Sequence, residues 1–206
     1  MMTSAEDQQA RRLLEPLLAT DEQVAARLHD SLVTAAAREG VLDIAYRTVD
    51  TPVGPLLLAA TEQGLIRVAY PREGHDAALE QLARKVSPRI LAAPARLDAA
   101  ARQLEEYFAR QRQVFDLPLD LRLSAGFRRL VLTHLPRIPY GQTESYTQVA
   151  TAAGSPHAVR AAGTACATNP LPIVLPCHRV VRSDGSAGLY AGGPQAKRTL
   201  LALEAA

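Results

Sequence analysis

Apolar positions change rhythm twice along the 206 residues, and the changes divide the chain into three stretches. Residues 1–40 are rich in Ala, Leu, Arg and Glu. Asp21 stands where a helix cap would, and Val24, Leu28, Leu32 and Ala35 recur at helical spacing up to Gly40. This pattern predicts a helical N-terminal extension over 1–40, either packed on the body or disordered in part. Nothing in it carries chemistry. Residues 41–119 alternate faster. Strand-like runs at about 42–48, 55–60 and 64–70 are broken by Pro52-Val53-Gly54-Pro55 and by Glu62-Gln63-Gly64, as hairpin turns would break them. Two helix-like segments follow, about 75–86 (Leu79, Leu82, Ala83, Val86) and 98–110 (Ala101, Leu104, Tyr107, Phe108). The run VFDLPLDLRL at 114–123 reads as a last strand and a linker. A small α+β domain over 41–119 is the expectation.

From Ser124 the period is mostly helical. A helix at about 124–135 should end before Pro136 and the turn Ile138-Pro139-Tyr140-Gly141. Ser145, with Gln148 three residues on, forms a capping box that opens a helix over Tyr146–Ala153, closed by Gly154. Ser155 is a good cap and Pro156 suits a first helical position, so a second helix is expected to start there and run to about Ala167. Two short helices across a Gly-containing turn make a helix-turn-helix or an ordinary helical hairpin. The second helix, with small residues and a single Arg160, is unlike a major-groove reader, which presents several long polar side chains to base edges. It suits close, sequence-tolerant contact. A domain over 120–206 follows.

Composition narrows the class. Apolar residues make up 48% and charged residues 21%, as in ordinary globular proteins. No stretch approaches a membrane span, and the N-terminus lacks an apolar signal core. A cytoplasmic protein without a membrane partner is therefore expected. The net charge of +2 is unevenly shared: residues 120–206 hold nine Lys+Arg against four Asp+Glu. A basic C-terminal lobe could meet a polyanion. The two cysteines, Cys166 and Cys177, cannot build a disulfide scaffold, and no zinc-ligand spacing is present. No metal or cofactor is expected.

The richest chemistry lies in NPLPIVLPCHRVV, residues 169–181. Prolines at 170, 172 and 176 fix φ and stiffen the segment, which would hold a nucleophile in place. A free thiol is only a few per cent ionised at neutral pH, so Cys177 needs a base, and His178 is next in sequence.

PCHRV preceded by this Pro-rich run, together with IPYGQTESY, SPHAVRAAGTACATNP, GLYAGG and LLALE, resembles the O6-alkylguanine-DNA alkyltransferases (methylated-DNA–protein-cysteine methyltransferases). The resemblance extends from about Asp43 to Glu204. It implies a ribonuclease H-like N-terminal α/β domain and a C-terminal winged helix-turn-helix domain carrying the active-site cysteine. It implies that Cys177 accepts an alkyl group by displacement at carbon. His178 would act as base through a bridging water, and Glu204 would orient His178. Tyr146 would push the nucleotide round and protonate the departing base, while Asn169 ties the recognition helix to the active-site loop. Tyr190 would line the alkyl pocket, the backbone groups of Ala191 and Gly192 would reach the base, and backbone carbonyls near Cys177 and Val180 would read the exocyclic amine. Arg160 would fill the gap left by the flipped nucleotide, with Ser155, Ala158 and Ser183 also on the DNA. The implied partner is double-stranded DNA containing O6-alkylguanine, and the sequence leaves activity on O4-alkylthymine open. The protein would work as a monomer, once per molecule, because nothing in it could cleave the thioether product.

The sequence departs from the family pattern in places. Leu132 replaces a frequent aromatic, Gly163-Thr164-Ala165-Cys166 departs from a more usual Gly-Gly-Ala, and Ala191 replaces a frequent Ser and its hydroxyl. Cys166 is most simply a packing residue. Three rival readings stand beside this one. A non-catalytic binder of alkylated DNA would lack Cys177. A helix-turn-helix regulator would need polar recognition residues and a dimer interface. A cysteine hydrolase would need an oxyanion hole and would turn over repeatedly.

Overall fold

The computed structural model describes residues 4–205, with side chains from residue 21 onward. Residues 4–38 contain no glycine and are rich in strong helix formers, and they form one helix, α1 (Ser4–Arg38). Propensity carries it through Asp21, which is therefore interior rather than a cap. Val24, Leu28 and Leu32 are exposed, and Ala36 is the buried position near the helix end. Residues 1–3 of the expected extension lie outside the described residues. Residues 1–42 and 43–206 are separate compact units.

In the second unit, the three alternating runs form β1 (Ile44–Val49), β2 (Leu56–Thr61) and β3 (Gly64–Ala69), an antiparallel meander. α2 (His75–Lys85) leads to β4 (Ile90–Ala92), which pairs parallel with β1 and completes the order β3-β2-β1-β4. β4 was not expected: three residues are too few to show a period of two. All six positions of β2 are buried, because both faces of the sheet are covered. Leu57 packs with Ala78, and Ala59 with Leu82, on the α2 side. Leu56, Leu58 and Ala60 turn instead to α3 (Asp98–Phe108), against Ala100, Leu104 and Tyr107.

The expected strand at 114–123 does not form. Leu119 makes a single bridge to Leu65, through Leu65 N–H to Pro118 O (2.8 Å) and Asp120 N–H to Leu65 O (2.9 Å). Pro118 has no N–H with which to extend the ladder.

The C-terminal region contains α4 (Gly126–His134), a short 3-10 turn at 135–137, and a two-residue parallel pair, β5 (Glu144–Ser145) with β6 (Val180–Val181). α5 (Tyr146–Ala152) starts on the expected capping box: Ser145 Oγ accepts from Gln148 N–H (3.2 Å), and Gln148 Oε1 accepts from Ser145 N–H (2.7 Å). The next helix, α6 (Val159–Ala167), starts later than expected. Residues 155–158 form a turn closed by Ala158 N–H to Ser155 O (2.9 Å). Pro156 thus serves the second position of a turn, and Ala158 rather than Ser155 occupies the cap. α7 (Gly193–Glu204) ends the fold. Leu58 and Leu104 share one core with Leu132, Val149, Cys166 and Leu200, so sheet and helices enclose a common interior.

Candidate active site

The segment between α6 and β6 is tied into a knot around Asn169. Its Oδ1 accepts from Leu171 N–H (2.9 Å), and its Nδ2 donates to Leu175 O (2.8 Å) and to Cys177 Sγ (3.2 Å). Leu175 N–H closes back on Leu171 O (2.8 Å), and Ile173 adopts φ 74°, an uncommon conformation for a β-branched residue. Strain of this kind costs about 1–3 kcal/mol and persists only where the surroundings over-determine it, as the Asn169 bonds do here. The apolar run is therefore a buried turn that presents Cys177 at the start of a single 3-10 turn, Cys177–Arg179.

Cys177 is 1% exposed. Burial pushes its thiol up to about 11, against the opposing effects of the Asn169 hydrogen bond and the Lys197 ammonium. The resting sulfur is thus protonated at neutral pH and depends on a base. His178 is fully buried, and burial lowers its pKa although Glu204 pulls it upward. Its Nε2 lies 2.8 Å from Glu204 Oε1. Burial would raise the Glu204 carboxyl, but hydrogen bonds from His178, Arg179 and Tyr107 outweigh it and hold it at about 2. With Glu204 ionised, Nε2 carries the shared proton, and Nδ1 is the lone-pair nitrogen. Nδ1 is buried and bonds no protein group. A neutral imidazole oriented by a carboxylate follows a protonated thiol in the chain, a set of groups from which nucleophile, base and orienter could be drawn.

Four participants were not anticipated. Tyr107 donates its hydroxyl to Glu204 Oε1 (2.7 Å) from α3. Arg179 clamps both carboxylate oxygens, Nε to Oε2 (2.8 Å) and Nη2 to Oε1 (2.9 Å), and Nη1 donates to Ile138 O (2.6 Å). Lys197, wholly buried, donates to Val180 O (2.5 Å), and its Nζ sits 5.9 Å from the centroid of the Tyr146 ring. Tyr70, after β3, meets Tyr190 hydroxyl to hydroxyl. The sequence held a signal for Lys197: once Glu204 is placed on the buried face of α7, Leu200 and Lys197 share that face by helical spacing.

Tyr146 opens α5 half-buried, with its hydroxyl 3.5 Å from Leu189 O. Burial raises this phenol to about 12. Gly188 (φ 63°) admits it, since a Cβ there would stand 2.6 Å from the Tyr146 oxygen. Arg160 projects exposed from the first turn of α6, Ser155 and Ala158 lie half-buried in the preceding turn, and Ser183 is exposed after β6. The structure thus brings together Asn169, Cys177, His178 and Glu204, with Tyr190 edge-on to His178 (6.3 Å between centroids). The Val180 carbonyl is already engaged by Lys197. Ala191 and Gly192 are half-buried. Among the described residues no group of three His, Cys, Asp or Glu is placed to hold a metal ion.

Comparison with known proteins decides what this constellation belongs to. Residues 44–121 match the model of the 6-O-methylguanine DNA methyltransferase ribonuclease-like domain, and residues 126–206 match that of the DNA-binding domain of the same methyltransferase. A methylated-DNA–protein-cysteine methyltransferase of Mycolicibacterium paratuberculosis is 42% identical over 161 residues, covering 78% of this chain and 92% of that protein. The chain belongs to the 6-O-methylguanine DNA methyltransferase family. The constitutive methyltransferase of Bacillus subtilis is 38% identical, over 77% of this chain and 94% of that protein. Among solved structures, the Mycobacterium tuberculosis O6-methylguanine methyltransferase superposes with a TM-score of 0.69 at 37% identity, covering 79% of this chain and 93% of that one. The OGT protein of the same organism, in complex with DNA, is equally similar (TM-score 0.69, 37% identity, 78% and 92% covered). The departures from the family pattern sit quietly in the fold: Leu132 and Cys166 are core residues, 0% and 1% exposed.

Proposed function

We propose that this protein repairs alkylated DNA directly, moving the alkyl group from O6 of guanine to Cys177 Sγ. The observation that carries the reading is a pair of buried bonds on consecutive residues, Asn169 to Cys177 Sγ and His178 to Glu204, in a chain of this family. The thiol proton passes through a water to His178 Nδ1, and the imidazolium that forms is stabilised by the buried Glu204 carboxylate. Sulfur then attacks the alkyl carbon, the C–S bond forms, and the C–O6 bond breaks with its electron pair retained by guanine. A proton relayed through the Tyr146 hydroxyl neutralises the base, which leaves more readily than an anion would.

Because Sγ is buried, a base must leave the duplex stack to reach it. We assign the approach to the α5–α6 pair, with Arg160 filling the gap and the small residues of α6 allowing close contact in the minor groove. The mycobacterial relative solved with DNA supports a nucleic-acid partner. The product is a thioether that none of the side chains named can hydrolyse, so each molecule reacts once.

The test is transfer of a labelled methyl group from O6-methylguanine in duplex DNA. Label should move to the protein, and Cys177→Ser should abolish the transfer while leaving the fold intact. Label released as free methanol, or transfer that persists in Cys177→Ser, would overturn the reading.

A further inference from the structure

Tyr190, which the family resemblance sets in the alkyl pocket, is held partly by the first domain. Its hydroxyl lies 2.9 Å from that of Tyr70, and the two rings meet edge to face with centroids 5.7 Å apart at 71°. Both side chains are buried. Tyr70 follows β3, and its backbone is pinned: its N–H donates to Glu73 Oε1 (2.9 Å), while Glu73 Oε2 pairs with Arg67 (2.6 Å). The pocket loop is shaped to receive the ring. A Cβ at Gly192 would stand 2.6 Å from Cε1 and Cζ of Tyr70, so a glycine is required two residues after Tyr190. On its other side, Tyr190 stands edge-on to His178. Burial raises both phenols well above their ordinary value, so both stay neutral and their shared hydrogen bond holds at any pH of interest.

We propose that Tyr70 is a positioning residue of the first domain, which fixes Tyr190 through the hydroxyl pair and so sets the size of alkyl group the pocket accepts. This rests on the reading of Cys177 as alkyl acceptor. With the hydroxyl pair intact, the Tyr190 ring is one rigid wall. Without it, the ring can turn and make room for a bulky group, at some cost to the orientation of a small one.

Single-turnover transfer of methyl and of benzyl from O6-substituted guanine in the same duplex tests this, with the full chain and its Tyr70→Phe variant. The variant removes one oxygen and keeps the ring packed under Gly192. The benzyl-to-methyl rate ratio should rise by about 2- to 10-fold, the rate equivalent of one neutral hydrogen bond. Tyr190→Phe removes the other half of the same bond. Adding Tyr70→Phe to it should leave the ratio where Tyr190→Phe alone sets it, because the two hydroxyls act as a unit. A ratio unchanged in Tyr70→Phe, with both rates falling in parallel, would reduce Tyr70 to a packing residue and overturn the proposal. So would independent, multiplicative effects of the two substitutions. Absence of methyl transfer by the wild-type protein would instead sink the reading of Cys177, and this inference with it.

Discussion

Glu204 accepts hydrogen bonds from His178, Tyr107 and Arg179, and from the Gly141 N–H at 3.2 Å, in a buried site. A carboxylate so bonded is costly to remove, because Arg179, 5% exposed, would be left without its counter-ion. Glu204→Gln should therefore destabilise the protein by about 3–5 kcal/mol in urea denaturation, the usual result of breaking a buried pair from one side. The pH dependence has a definite sign. The Glu204 pKa is depressed from 4.5 to about 2, so its contribution is complete above pH 4.5 and is lost as pH falls toward 2. The wild type should lose more stability across that window than Glu204→Gln does, and equal slopes would show that Glu204 is not the group responsible. Cys177 and His178 were legible in the sequence because a proline-fixed Cys-His pair is a local signal. Tyr107 was not. It sits among Ala101, Leu104 and Phe108 in an apolar stripe, and a hydroxyl aimed at a residue 97 positions away leaves no trace in local spacing.

Among the elements, α5 was readable to its first residue because its capping box is closed by two bonds within four residues. The start of α6 was not, since Ser155-Pro156 serves a helix cap and a turn equally well, and the chain takes the turn closed by Ala158 N–H to Ser155 O. The strand expected at 114–123 failed for the same kind of reason: its apolar alternation is real, but Pro118 cannot sustain a ladder. α6 carries one long cation, Arg160, in its exposed first turn. If Arg160 occupies the space vacated by a flipped nucleotide, Arg160→Ala should slow methyl transfer from duplex DNA by about 10- to 100-fold, as loss of one charged contact would. Reaction with O6-benzylguanine as a free base should change little. Equal losses on the two substrates would remove Arg160 from the flipping step.

Across the whole molecule, the basic excess of residues 120–206 holds as composition. The site does not respect that boundary. Tyr107 on α3 supports Glu204, and Tyr70 after β3 supports Tyr190, so the ribonuclease-like domain supplies two buried hydroxyls to a centre carried by the DNA-binding domain. Packing through one core makes the first domain part of the active-site scaffold. Sequence patterns pointed to Cys177 and His178 as candidates, but the groups that surround them emerge only when the two domains are folded together.

The central claim is that Cys177 is both catalyst and final product. It is tested by titrating the protein with excess duplex containing O6-methylguanine, then weighing the intact protein and the peptide that holds Cys177. The predicted result is a plateau at one methyl group per protein molecule, with the added mass on Cys177 and no further repair on longer incubation. Repair beyond one equivalent, or a Cys177 peptide of unchanged mass after repair is complete, would contradict it.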